Sequence, residues 1–178
     1  MKKLTLLLFL IIPLLSFSQD EAKLPFDQDG RVVYSNVIEQ TATKNELYLR
    51  AKEWFARTFK SSQDVIQFDD KETGKIIGKG FSSGSFRGQL GVTVPTDVYF
   101  TMSVATKDNK YKYEISAITA KFQAGNKLTI EEANEWVVKK KSGKAAAARL
   151  IVFLDGKAND LIKDLTDFMK QKSKMDEF

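Results

Sequence analysis

Val98, Phe100, Met102 and Val104 alternate with Tyr99, Thr101, Ser103 and Ala105, and after Lys107-Asp108-Asn109-Lys110 the run Tyr111, Tyr113, Ile115, Ala117 alternates with Lys112, Glu114 and Ser116. Successive side chains of a strand point to opposite faces, so this period of two predicts an antiparallel hairpin with one face in a core. The apolar set then changes phase to Ile118, Ala120 and Phe122. One extra residue in a strand shifts the phase in this way, which predicts a bulge or twist near Ala117. A sheet that is apolar on one face needs a cover.

Two segments have the pattern of that cover. Thr43 stands three residues before Glu46, the spacing of a capping box, and Leu47, Ala51, Trp54, Phe55 and Phe59 recur at helical intervals opposite Lys44, Glu46, Arg50, Lys52, Glu53 and Arg57. This helix is expected to end near Lys60-Ser61-Ser62. A long helix begins at the alanine run after Ser142-Gly143, with Leu150, Leu154, Ala158, Leu161, Leu165 and Phe168 as its stripe and Gly156 as a weak point. Between them Thr129 and Glu132 form a second capping box, opening a short helix through Trp136 to Lys139-Lys140-Lys141.

The remaining strands are read from β-branched and aromatic runs: Arg31 to Gln40, Val65 to Asp69 and Lys75 to Phe81, the last two joined by a turn at Asp70–Gly74. The glycine- and serine-rich stretch from Gly78 to Gly91 reads as a strand end followed by a flexible connection, with Pro95 at the approach to the next strand. The order is β-α-β-β-β-β-α, an α+β class with an antiparallel sheet of about five strands and helices on one face. The length suits one domain, residues 31–172, with an arm at 19–30 and a tail at 173–178.

Met1-Lys2-Lys3, an apolar run from Leu4 to Leu15 and Ser16-Phe17-Ser18 have the form of a secretory leader, residues 1–18, cut after Ser18. The run is too short for a membrane-spanning helix, which needs about 20 apolar residues. The expectation is an exported protein, periplasmic, outer-membrane associated or secreted, with no transmembrane segment in its mature form. No cysteine follows the leader to take a lipid. Loss of Lys2 and Lys3 lowers the formal charge of +5 by two, too little for a surface built to hold polyanions. The chain has no cysteine and no histidine, which removes the thiol nucleophile, the imidazole base and the commonest zinc, copper and haem ligands. No cofactor and no metal are expected.

Leu24-Pro25, Asp29-Gly30 before Val32-Val33-Tyr34, Ala51-Lys52-Glu53-Trp54-Phe55, Val65-Ile66, Asp70 and Lys75-Ile76-Ile77-Gly78-Lys79-Gly80, behind a leader ending Ser16-Phe17-Ser18-Gln19, resemble secreted proteins of Bacteroidetes bacteria. That family is catalogued only as a domain of unknown function with a TBP-like fold. The resemblance covers residues 24 to 122 and, loosely, the last helix; the segment from Thr129 to Ser142 lies outside it. It implies the β-α-β-β-β-β-α arrangement and supplies no catalytic residues. A TATA-binding protein uses two copies of the unit and a basic saddle with phenylalanine wedges, whereas this chain has one copy and a weak charge. Nucleic acid is therefore not the expected ligand.

Candidate sites compete with plainer readings. Gly78-Lys79-Gly80-Phe81-Ser82-Ser83-Gly84 lacks the spacing of a phosphate loop, and its glycines are better read as room for a helix lying close on a strand or as permitting a bulge. Asp27, Asp29 and Gly30, and separately Asp69, Asp70 and Glu72, echo calcium loops but read as turns. Asp69 and Asp70 point to opposite faces of an extended chain and cannot flank one glycosidic bond. Lys139, Lys140, Lys141 and Lys144 beside Trp136 read as a solvated helix end. Tyr99, Tyr111 and Tyr113 are the candidate ligand-binding residues, because Tyr99 falls opposite the apolar set of its strand and aromatic surface on an open sheet is what a binder uses. No residue is a catalytic candidate. The leading expectation is a non-catalytic envelope binding or assembly module that holds a protein or peptide on an open sheet face or edge strand. Two alternatives stay open: a carboxylate-based hydrolase or lyase acting on envelope polymer, which needs two carboxylates with divergent pKa values in a cleft, and a small-ligand carrier, which needs an apolar pocket between the sheet and the last helix.

Overall fold

A computed structural model describes residues 23–59, 66–139 and 141–171. The leader, the helix end at Lys60–Ser62, Val65, Lys140 and the tail 173–178 lie outside the described residues. Among the described residues six strands form one antiparallel sheet: β1 (Tyr34–Glu39), β2 (Ile66–Asp70), β3 (Lys75–Arg87), β4 (Thr93–Lys107), β5 (Lys110–Phe122) and β6 (Lys127–Thr129). Among the described residues three α-helices accompany them, α1 (Lys44–Thr58), α2 (Ile130–Val138) and α3 (Lys144–Met169). The order across the sheet is β1-β5-β4-β3-β2, with β6 pairing the far half of β5.

The central hairpin has the alternation expected of it. Val98, Phe100, Met102 and Val104 of β4 and Tyr111, Tyr113 and Ile115 of β5 are buried on one face. Asn109, at φ 63°, completes the two-residue turn. The pairing runs Thr101↔Ser116 and then Tyr99↔Thr119, so Phe100 faces an extra residue of β5. Ala117 takes a left-handed φ of 53° there and returns Ile118 and Ala120 to the buried face, which is the expected bulge.

Both short-range helix signals are realised. Thr43 and Glu46 close a capping box on α1, and Thr129 and Glu132 close one on α2. Helices α1 and α3 lie side by side on the buried face, fastened by Trp54 Nε1 donating to Asp164 Oδ2 at 2.7 Å. Tyr34 Oη donates to Asp155 Oδ1 at 2.7 Å and ties β1 to α3. Leu47, Ala51, Trp54 and Phe55 of α1 meet Leu150, Leu154, Ala158 and Leu165 of α3 in a common core. The sequence pattern puts Arg50 on the solvent side, yet it is buried, and its Nη1 donates to the Met169 carbonyl at 3.0 Å. A long side chain at the seam of two helices can cap the end of one of them, which hydrophobic periodicity does not register.

The main correction concerns Gly78 to Gly91. This stretch is not a flexible connection: it is strand through Arg87, paired residue by residue with β4 as far as Arg87↔Thr93. The glycines lie under helices. A Cβ on Gly80 would stand 2.6 Å from Phe59 Cε1 and 3.2 Å from Phe100 Cε2, and one on Gly84 3.0 Å from Phe153 Cζ. Only Gly88–Val92 forms the connection, with one turn of 3-10 helix at Gln89–Gly91. Leu24 is buried in the core, and Pro25 accepts a backbone hydrogen bond from Val33 at 2.9 Å, so the segment before the Asp27–Gly30 turn packs on the sheet.

Candidate functional site

The face of the sheet away from the helices follows from the register. Because Ile76, Gly78 and Gly80 of β3 face the helices, Lys75, Ile77, Lys79, Phe81 and Ser83 face the other way. Across this face Phe68 pairs with Ile77, Ile77 with Ser103, and Phe81 with Tyr99. The Phe81 and Tyr99 rings stack at 5.4 Å between centroids with an interplanar angle of 26°. Lys121 Nζ lies 5.9 Å from the centre of the Tyr99 ring. Phe81 remains 55% exposed and Phe68 45%, large values for phenylalanine on a structured strand. The surrounding rows are polar: Lys79 beside Thr101 and Ser116, and Asp97 accepting from Ser83 Oγ at 2.7 Å.

Of the three tyrosines singled out in the sequence, Tyr99 alone lies on this face. Tyr111 and Tyr113 share the phase of Ile115 and are buried beneath the helices at 1% and 7% exposure. Burial raises both phenol pKa values, that of Tyr111 to about 12, with the neighbouring Tyr113 and Asp167 adding to it. They belong to the core, and as ligand-binding residues they are corrected. The signal for the open-face partners of Tyr99 is present in the strand Lys75 to Phe81, where Ile77 and Phe81 fall opposite the phase of Gly78 and Gly80; that Phe81 meets Tyr99 depends on the strand register.

The acidic clusters are occupied by their own turns. Asp27 accepts from the backbone N–H groups of Asp29 and Arg31 at 2.9 Å each and from Arg31 Nε at 2.9 Å, and Asp29 pairs with Arg31 at 3.0 Å. The backbone hydrogen bond from Arg31 is the main reason that the Asp27 pKa is lowered. Asp70 Oδ1 accepts from the backbone of Glu72 at 2.8 Å and of Thr73 at 3.2 Å, and Oδ2 from Thr73 Oγ1 at 2.8 Å. Asp69 binds the Tyr48 hydroxyl and, at 2.7 Å, Lys52 Nζ. Partial burial works to raise its pKa, but the bonds from Lys52 and Tyr48 outweigh that and hold it below the usual 3.8. Asp27, Asp69, Asp70, Glu135 and Asp167 are all shifted downward. A general acid needs a carboxyl shifted upward, and none of these five is.

Two of the clefts formed by the described residues bear on the candidate readings. One, of about 480 Å³, lies beside the Asp27 turn, where Arg31, Lys112, Glu114 and Glu131 bring opposite charges together; Glu131 Oε1 is engaged by the Val32 N–H at 2.8 Å. The other, of about 620 Å³, opens at the far end of the sheet between β3, β4 and the two last helices, and is largely apolar. At the end of α2 Lys139 is ion-paired with Glu135, so this part of the basic run is the solvated helix end expected.

Residues 34–121 match the model of a family described as a domain of unknown function (DUF4468) with TBP-like fold. Among solved structures, the chain is similar to a DUF4468 family protein from Bacteroides ovatus, at 22% identity and a TM-score of 0.67 over 85% of this chain and 92% of that one. It is also similar to a TBP-like protein from Parabacteroides distasonis, at 17% identity and a TM-score of 0.67 over 84% of this chain and 99% of that one. No curated protein matches.

Proposed function

From the premise that this chain carries the TBP-like domain of a family whose function is unknown, we propose a non-catalytic binding module that holds a protein or peptide partner on its open sheet face. The stacked Phe81–Tyr99 pair carries this reading. It is an exposed aromatic contact on a rigid strand pair, extended by Ile77 and Phe68 and flanked by Lys79 and Lys121. Rigid aromatic anchors in a polar surround are the composition of interface centres, because they bury much area and lose little side-chain entropy. The flanking lysines favour a partner segment with apolar side chains and acidic neighbours. Nucleic acid is not the ligand proposed, given the small net charge. The leader-like N-terminus supports a place in the bacterial envelope for this interaction.

Photo-crosslinking in the native bacterium tests the reading. A photo-reactive residue at Tyr99 is expected to capture one discrete protein, and capture should disappear when Phe81→Ser is added. The same group at Arg57, exposed on the helical side against Phe168, is expected to capture nothing in common with it. Equal capture at both positions, or glycan fragments at Tyr99 in place of protein, would overturn the proposal.

A further inference from the structure

The larger cleft has a physical origin in the sequence. Phe86 of β3, Val94 of β4, Phe122 of β5 and Leu128 of β6 continue the buried face of the sheet to its far end. Helix α3 begins over this floor with the alanine run, of which Ala146 and Ala147 line the cleft. These side chains are too short to reach the floor, so the space stays unfilled. Gly143, in the left-handed region at φ 85°, turns the chain into α3 and sets Trp136 of α2 as the opposite wall. The floor is fixed by ring contacts along the same face: Phe86 stacks on Phe153 of α3 at 6.0 Å and meets Phe122 at 6.4 Å.

The charge of the lining is one-sided. Lys127 is its single charged residue, exposed and without a partner among the described residues, and no carboxylate lines the cleft. Gln89 and Asn126 are the other polar side chains of the lining. Beside it, Leu90 at the tip of the β3–β4 connection is fully exposed and Val92 is largely so. A cleft of about 620 Å³ is within the range, about 300 to 1,000 Å³, that encloses small ligands. An apolar floor asks for an apolar body, and one unpaired cation with no opposing carboxylate asks for an anionic head.

We propose that this cleft binds the acyl chain of an anionic amphiphile, a single-chain carboxylate or phosphate, whose head group is held at Lys127. The site is separate from the open sheet face and does not depend on it. It lies at the end of the buried face, where the first turns of α3 cover the apolar surface of the sheet with alanine side chains that leave it partly unfilled.

Dodecyl phosphate below its micelle concentration is the probe, with binding followed by calorimetry and by the emission of Trp136; Trp54 is fully buried in the core. Saturable binding of one probe per chain is expected, together with a spectral change that is absent in Trp136→Phe. Ala146→Phe fills the cleft and should weaken binding at least about tenfold, while Lys127→Glu should weaken it about fivefold, the upper range of an exposed ion pair. Lys127 is a surface position, so its variant keeps the test decisive if Ala146→Phe does not fold. Absence of saturable binding, equal binding of dodecyltrimethylammonium, or unchanged affinity in a folded Ala146→Phe or in Lys127→Glu would overturn the proposal.

Discussion

Gly80 shows how a single missing methyl group positions a helix. Phe59, just past the end of α1, lies against the Gly80 backbone and is wedged among Trp54, Phe55 and Phe100, with ring centroids 5.7 to 5.9 Å away. A ring held on several sides cannot move aside for a Cβ at 2.6 Å, so Gly80→Ala is expected to destabilise the fold by about 1 to 3 kcal/mol in urea denaturation. Asp69 carries a pH dependence of known sign. Its pKa is lowered in the folded state, so its contribution is present above the ordinary carboxylate value of 3.8 and is lost as the pH falls below it. Asp69→Asn should therefore lower stability at neutral pH and make the acid limb of the stability profile shallower. Its partner Tyr48 has the opposite sign: burial, followed by the Asp69 hydrogen bond, raises the phenol to about 12, so that contribution is present below the usual 10 and is lost at higher pH. The tight packing of Gly80 is legible in the sequence as a glycine needing room for a helix. The burial of Arg50 is not, because the carbonyl it caps belongs to a helix more than a hundred residues away.

At the scale of elements, legibility follows the strength of local signals. Capping boxes and alternation depend on neighbours a few residues apart, and they mark α1, α2 and the β4–β5 hairpin with its bulge. Strand β3 is not legible beyond Phe81, because Ser and Gly are poor strand formers. What holds them in the strand is tertiary, since β4 pairs along their whole length and α1 and α3 press close over Gly80 and Gly84. The three residues of β6 are too few to show a period, so that strand has no signal of its own. Helix α3 offers a direct test of a propensity unsupported by packing. Gly156 lies exposed in its middle, and a Cβ there would meet nothing within 4 Å. Gly156→Ala is expected to stabilise the protein by about 1 kcal/mol, seen as a higher urea midpoint with an unchanged slope.

For the molecule as a whole, the two faces of one sheet have unequal demands on sequence. Along β4 and β5 the buried face is apolar at every position from Val98 to Val104 and again at Tyr111, Tyr113, Ile115, Ile118 and Ala120, which makes the α+β class and the one-sided cover legible from periodicity. The exposed face is a sparse pattern of Phe68, Ile77, Phe81 and Tyr99, which depends on the register between three strands and emerges only when they are aligned. That alignment also has a temporal side. Tyr34 pairs with Ile115 and Glu39 with Lys110, so the first strand finds its neighbour in the fifth, after the whole of β2, β3 and β4 has intervened. The β3–β4 and β4–β5 pairs close over short connections, whereas β1 must close a loop of about half the domain, at a larger entropic cost. In refolding followed by pulsed hydrogen exchange, amides of β4 and β5 are expected to gain protection first and those of β1 last. The chain thus emerges with a strand that has no neighbour to join in the sheet until β5 has followed it.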